Sequence, residues 1–311
     1  MLQSTYSTYA QARELWALAF RYQEQHTGMK VRTALTLAIA DIYRLLPVHA
    51  QTLCQIVELF NTASLVHDDI IDEDTTRRGA PSVWVKFGIA SALVSGMCGY
   101  IEGLQKLNAF GDPNLIDAAL KSLEALHIGQ HLDTQLSAGN SLPTLDQYRF
   151  IAQANTGCFF MFILDSCQIL NPMPIAVYSA LKDLMLELAV YYRFINDYCD
   201  INHTPHFKKK GFAPDLEGGP KTFLMILANS PLIKSKRTEL QKRRIISDWG
   251  DAGVFTQAMN IMEDSFNTIL LHFEEARRHA RERNFGSLHA FLQNVHFQQQ
   301  PQDDYYLSLI R

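Results

Sequence analysis

The sequence predicts an all-α protein, a single large helical bundle around a central cavity and one domain over residues 1–311. Three observations carry this. Apolar residues recur at three- and four-residue steps through most of the chain, the spacing of buried helix faces. Glycine (16) and proline (11) are scarce for 311 residues, and alternating strand patterns are hard to find. No linker, composition shift or low-complexity tract divides the chain. Hydrophobic residues at 47% against charged ones at 19% describe a globular, apolar-rich protein. A net charge of −4 gives no global field toward nucleic acid or an anionic membrane. The cysteines (Cys54, Cys98, Cys158, Cys167 and Cys199) lie in apolar helical contexts without zinc-ligand spacing, as core thiols of a reducing compartment do. No signal-peptide pattern opens the sequence and no apolar run is long enough for a transmembrane segment, so a cytoplasmic location is expected.

In order along the chain, Ala10 to Gln25 reads as an aromatic amphipathic helix broken at Thr27-Gly28. Met29-Lys30-Val31-Arg32 opens the next, which runs through Leu35, Ile39 and Ile42 to Pro47. Basic residues at a helix start oppose the macrodipole, so Lys30 and Arg32 either answer an anion or are simply solvated. An apolar helix through Ile56 to His67 then leads into Asp68-Asp69-Ile70-Ile71-Asp72-Glu73-Asp74-Thr75-Thr76-Arg77-Arg78-Gly79, ended by a loop through Pro81. Small residues at Gly88, Ala90, Ser91, Ala92, Ser95, Gly96 and Gly99 let helices approach closely, and Gly111-Asp112-Pro113 is a turn.

From Leu115 a long helix carries Gln130 and Asp133 on one polar stripe, satisfied internally or aimed at a ligand. After a loop from Ser137 to Thr144, the next helix holds Tyr148, Asn155-Thr156-Gly157 and the aromatic run Phe159-Phe160-Met161-Phe162. Such a run is core or the lining of an apolar pocket. Beyond a break at Asn171-Pro172-Met173-Pro174, a helix ends in Tyr191-Tyr192-Arg193-Phe194-Ile195-Asn196-Asp197-Tyr198-Cys199-Asp200. A basic loop follows at Lys208-Lys209-Lys210-Gly211, then Asp215 to Thr222, as a solvated segment or a lid over a diphosphate. Lys236 to Leu292 is amphipathic helix without evident chemistry.

The chemistry is concentrated in the two acidic clusters. Asp68 and Asp72, at i and i+4, leave one helix face, where like charges repel and lose hydration. A hard divalent cation relieves both costs, and Mg²⁺ favours a few carboxylates plus phosphate oxygens. Arg77 and Arg78 add forked donors suited to phosphate. Asn196, Asp197 and Asp200 repeat the i, i+1, i+4 spacing, a quasi-repeat read as facing one cavity from opposite walls.

With these residues in view, the chain resembles the trans-isoprenyl diphosphate synthases. The resemblance rests on Asp68-Asp69-x-x-Asp72-x-x-x-x-Arg77-Arg78-Gly79, on Gln130-x-x-Asp133 and on the Asn196–Asp200 cluster. The stretches at Gly129-Gln130, Pro143 and Tyr148, and Glu217 ahead of Lys221, look most like fungal geranylgeranyl diphosphate synthases. The resemblance implies the isoprenoid synthase fold, usually as a homodimer. It also implies Mg²⁺ bound through Asp68, Asp69, Asp72, Asn196, Asp197 and Asp200, with Asp68, Asp72 and Asp197 catalytic. An allylic diphosphate donor ionises and its allylic carbon alkylates an acceptor. Arg32, Asn61, Arg77, Arg78, Gln130, Asn155, Thr156, Lys210 and Lys221 are the implied substrate contacts. Ala63 and Ser64, small residues one turn before Asp68, leave room for a C20 chain. Several positions depart from the family: Met29 stands at its lysine, Asn61 at its histidine, Asn155 at a lysine, Arg193 at a glutamine and Asn196 at the first acid of the second motif. These departures resemble the paxilline-type indole-diterpene prenyltransferases. They set the expectation that geranylgeranyl diphosphate alkylates indole-3-glycerol phosphate, with isopentenyl diphosphate as the alternative acceptor or a terpene cyclase as the alternative activity.

Overall fold

The computed structural model describes residues 7–310. Its backbone contacts cluster in two compact units, Met1–Ala119 and Leu120–Arg311, with the boundary inside one continuous helix.

In the first unit, α1 (Tyr9–Gln25), α2 (Val31–Tyr43), α4 (Val83–Phe87) and α5 (Ile89–Asn108) pack around α3 (Pro47–Ile71). Thr8 caps α1 with a reciprocal capping box to Gln11, which fixes its start two residues ahead of the apolar run. The core is apolar and tightly closed: Phe20, Leu35, Ile39, Leu53, Ile56, Val57 and Phe60 are fully buried. The small-residue stripe is explained by α3. A Cβ on Gly99 would lie 2.6 Å from the Leu59 carbonyl and the Phe20 ring, and one on Gly96 would lie 2.4 Å from His67 Nε2. Gly88, Ala90 and Ser91 of the same stripe face outward.

Residues 79–81, read as a plain loop, belong to a hairpin of β1 (Thr76–Arg77) and β2 (Ala80–Pro81). Arg78 (φ 54) and Gly79 (φ 80) both occupy left-handed backbone, the geometry of a tight two-residue hairpin turn. Strands this short leave no alternation to read in the sequence.

The second unit follows α6 (Pro113–Ala138), which crosses the unit boundary, and comprises α7 (Leu145–Asn155), α8 (Gly157–Leu170), α9 (Ile175–Asn202), α10 (Thr204–Lys210), α11 (Phe223–Leu227), α12 (Glu239–Asp251), α13 (Val254–His279), α14 (Gly286–Val295) and α15 (Tyr305–Leu309). Its centre is α9, packed on α13 and α8. The single helix expected across Tyr148 and the aromatic run is two helices, bent by 51° at Thr156. Phe159, Phe160 and Phe162 are core. Lys208–Lys210, expected in a loop, form the last turn of α10. Among the described residues no single helix is long and apolar enough to cross a membrane; the bent α7–α8 pair reaches that length and composition only jointly.

Candidate active site

The acidic end of α3 is shaped by how the helix stops. Asp72 caps it, its amide bonded to the Asp68 carbonyl at 2.8 Å. Glu73 then turns left-handed (φ 60) and the Asp74 amide reaches back to the Asp69 carbonyl at 2.9 Å. This is a Schellman-type end with a glutamate where glycine is easiest, at a backbone cost of about 1 kcal/mol. Strain of that kind persists where the surroundings over-determine it.

The three motif carboxylates divide by exposure. Asp68 and Asp72 are half-buried. Asp69 is fully buried, and Arg77 holds it through both Nε (2.6 Å) and Nη2. The same guanidinium reaches Asp74 at 3.1 Å and Asp68 at 3.5 Å. Burial pushes the Asp69 carboxyl up to about 6 against the pull of Arg77, with Asp68 and Asp74 adding repulsion. Asp69 Oδ2 is a buried acceptor with no hydrogen-bond partner. Two half-exposed carboxylates on one face, beside a buried one under electrostatic load, fit a hard cation that completes its shell with water or phosphate oxygens. Among the described residues no three His, Cys, Asp or Glu side chains converge into an all-protein metal cage, and Mg²⁺-type sites do not require one.

Arg78 turns the other way. Its Nη1 donates to the His26 carbonyl at 2.8 Å. Its guanidinium covers Gly28, where a Cβ would lie 2.9 Å from Nε and Nη2. A side chain at position 28 would therefore push the Arg78 guanidinium aside. Arg78, Lys30, Thr33, Glu58, Thr62 and Lys106 help line a cleft of about 630 Å³ in the first unit. Lys30, left-handed at the start of α2, pairs with Glu58 at 3.1 Å, and Thr33 donates to the same carboxylate at 2.7 Å. Arg32 is half-buried in the first turn of α2. Met29, at 85% exposure, faces solvent, whereas Asn61 is buried with its Oδ1 unpartnered. Of the chain-length pair, Ala63 is fully buried; Ser64 is half-buried and donates to the Asn61 carbonyl at 2.8 Å.

In the second unit, α9 carries the other cluster. Asn196 is exposed. Asp197 is buried, its Oδ2 accepting from the Tyr148 hydroxyl at 2.7 Å and the Phe223 amide at 3.0 Å. Arg193 lies 3.6 Å from Asp197 Oδ1 and bonds Asp133 Oδ2 at 2.8 Å. Burial pushes the Asp197 carboxyl up, opposed by Arg193 and the two hydrogen bonds. The Tyr148 hydroxyl is also pushed up by burial and by Asp197, so it remains the donor. Asp200 is buried against His206 at 2.5 Å.

The remaining expected contacts scatter. Gln130 is half-buried on α6. Asn155 and Thr156 sit at the α7–α8 bend, the Thr156 hydroxyl donating to Asn155 Oδ1 at 3.2 Å. Lys221 departs from its expected role: it is 2% exposed and donates to the Leu232 carbonyl at 3.0 Å, closing its own loop. The Lys210 side chain lies outside the described residues. Sequence reasoning assigned no role to Glu58, Lys106, Tyr148 or Arg193. The signals available were the i, i+4 spacing of Arg193 and Asp197, the place of Arg193 at the family's glutamine, and the position of Tyr148 in a stretch that carries the resemblance.

With this geometry established, comparison with known proteins locates the chain. The model of the polyprenyl synthetase family matches residues 13–262. The chain is 28% identical over 247 residues to a geranylgeranyl pyrophosphate synthase of Neocamarosporium betae, covering 79% of this chain and 70% of that one. It is 28% identical over 236 residues to geranylgeranyl pyrophosphate synthase A of Phomopsis amygdali, covering 69% of this chain but only 59% of that one. The fold matches a polyprenyl synthase of Caulobacter crescentus solved with calcium and isoprenyl diphosphate, with a TM-score of 0.77 at 18% identity, covering 94% and 91% of the two chains. The architecture is thus the isoprenoid synthase fold, and the chain belongs to the polyprenyl synthetase family of prenyltransferases.

Proposed function

We propose that the chain condenses a shorter allylic diphosphate with isopentenyl diphosphate to give geranylgeranyl diphosphate, with Mg²⁺ as cofactor. One observation carries the reading. The end of α3 offers Asp68 and Asp72 on a single face, and the hairpin after it sends Arg77 to Asp68 and Asp69 and Arg78 to a cleft that also holds Lys30 and Lys106. The fungal relatives named as geranylgeranyl pyrophosphate synthases support the same acceptor and chain length.

Asp68 and Asp72 would hold Mg²⁺, which when bound would supply positive charge to the departing diphosphate. Arg77 fixes Asp69 and steadies the acidic end of α3. Gln130, Asn155, Thr156 and Lys210 are assigned to the allylic diphosphate, and Lys30, Arg32 and Arg78 to the acceptor diphosphate. The allylic C–O bond breaks with its electron pair leaving on diphosphate. The allylic carbon then bonds the terminal alkene carbon of isopentenyl diphosphate, and a proton is lost to restore a double bond. One family model spanning residues 13–262 supports treating the two units as one catalytic domain. A homodimer and a cytoplasmic location complete the proposal. An exposed apolar stripe on α5 (Ile89, Leu93, Val94, Met97 and Ile101) supports the dimer.

A second reading, transfer of geranylgeranyl to indole-3-glycerol phosphate, draws on Met29 and Asn61. Neither brings a cation to the cleft, as suits an acceptor with one phosphate. A paired incubation with Mg²⁺, followed by mass spectrometry, decides between them. Farnesyl and isopentenyl diphosphates should yield geranylgeranyl diphosphate, while geranylgeranyl diphosphate with indole-3-glycerol phosphate should yield no adduct. The reverse outcome replaces the first reading by the second. Asp68→Ala should lower turnover by at least about 10²-fold with an unchanged far-ultraviolet spectrum; wild-type turnover at saturating Mg²⁺ would remove the metal role.

A further inference from the structure

The two acidic clusters share a spacing but not a chemical situation. At the end of α3 the single guanidinium of Arg77 is shared among three carboxylates, Asp68, Asp69 and Asp74. On α9 the corresponding positions are already occupied. Asn196 contributes an uncharged amide. Asp197 spends Oδ2 on the Tyr148 hydroxyl and the Phe223 amide, and its Oδ1 faces Arg193. Asp200 Oδ1 lies 2.5 Å from His206 Nε2.

Arg193 is the centre of this arrangement. Positions 193, 196, 197 and 200 fall on one face of α9 at helical spacing, so Arg193 stands one turn from Asn196 and Asp197 and two from Asp200. It bridges Asp197 of α9 to Asp133 of α6, and its carbon lies 5.9 Å from the centre of the Tyr148 ring. Tyr148 is itself stacked on Phe194 at 5.7 Å with an interplanar angle of 4°, so the bridge rests on a rigid aromatic base. The side chains of Arg193, Asp133 and Asp197 are 19%, 13% and 7% exposed. A guanidinium at such a site keeps its charge at any working pH. A divalent ion entering here would have to displace it and strip two buried donors from Asp197, each left unpaired.

We propose that Arg193 takes the electrostatic place of a metal ion at the second acidic cluster, so that this chain binds its divalent ions through the Asp68–Asp72 cluster alone. The inference deepens the proposed prenyltransferase reading and rests on it for the metal role of Asp68 and Asp72. Arg193 is a positioning residue: it holds Asp133, Asp197 and, through Asp197, Tyr148 in one fixed geometry.

Counting bound Mn²⁺ tests this. The full-length protein, with saturating inorganic pyrophosphate as the probe, is titrated with Mn²⁺ and the free ion is followed by electron paramagnetic resonance. Asp200→Asn and Asn196→Asp should each bind the wild-type number of ions, whereas Arg193→Gln combined with Asn196→Asp should bind one more. A lower count in Asp200→Asn, or no gain in the folded double variant, overturns the proposal. Should the double variant fail to fold, the Asp200→Asn count still decides, because that position lies two turns from Arg193. Asp68→Ala tests the other reading separately. If its count equals wild type, the metal role of α3 fails, while a gain in the double variant would still assign Arg193 its place.

Discussion

Asp68 and Asp69 are sequence neighbours about 100° apart on a helix, and that rotation separates a half-exposed carboxylate from a fully buried one. The sequence makes the i, i+4 pair legible, because spacing alone puts Asp68 and Asp72 on one face. It does not reveal which acid is buried, since that depends on where Arg77 lands after a left-handed turn at Glu73. Lys221 shows the opposite failure: a lysine in a Gly-Pro-Lys-Thr stretch reads as a phosphate contact, yet the fold aims it at a backbone carbonyl. Burial also separates the two small residues before Asp68. Ser64→Phe should shift donor preference toward a shorter allylic diphosphate, read from relative kcat/KM for C10 and C15 donors. Ala63→Phe enters a closed core and should instead cost about 1–3 kcal/mol of stability, read from the urea midpoint. Unchanged donor preference in Ser64→Phe would remove the chain-length role.

At the scale of elements, the glycines of α5 show how a composition signal becomes geometry. Small residues at helical spacing predicted close approach, and Gly99 meets a backbone oxygen of α3, a partner that cannot rotate aside. Gly99→Ala should therefore lower stability by about 1–3 kcal/mol despite its better helix propensity. Thermal unfolding measures this; a raised Tm would mean that α3 and α5 can separate at little cost. What escaped the sequence at this scale is short or local. The hairpin strands hold two residues each. The α7–α8 bend falls at Thr156, where no proline or run of glycines announces it. The helical state of Lys208–Lys210 was masked by their charge, which reads as loop until the chain is seen to place it at a helix end.

For the molecule as a whole, the all-helical architecture was legible because long amphipathic segments dominate the composition, and the family features lie where the motifs stood. The two clusters are less alike than their spacing suggested. One leaves carboxylates half-exposed, while the other buries them, with Asp197 held by Arg193, Tyr148 and a backbone amide and Asp200 set beside His206. No pattern in one sequence shows that a tyrosine almost fifty positions upstream of Asp197 will reach it. The apolar stripe on α5 carries the remaining prediction at this scale. Leu93→Glu combined with Met97→Glu should convert a dimer to a monomer, read by light scattering coupled to size exclusion. A wild-type monomer at micromolar concentration would refute the assignment of that stripe to a second copy.

The hairpin at residues 76–81 has a consequence for how the chain tolerates change. Arg77 and Arg78 are adjacent, yet one is committed to the carboxylates of α3 and the other to the carbonyl of His26 and the floor of the cleft. Their destinations differ because Arg77 ends β1 while Arg78 occupies the first, left-handed position of the turn. A loop normally absorbs an extra residue with ease, but here each arginine depends on its own place in the hairpin. A single residue inserted between Thr76 and Arg77 would move both arginines off those places, so that the carboxylates and the His26 carbonyl could no longer be engaged together. The segment thus behaves less like a flexible connector than like a two-pronged bracket whose prongs cannot be shifted separately.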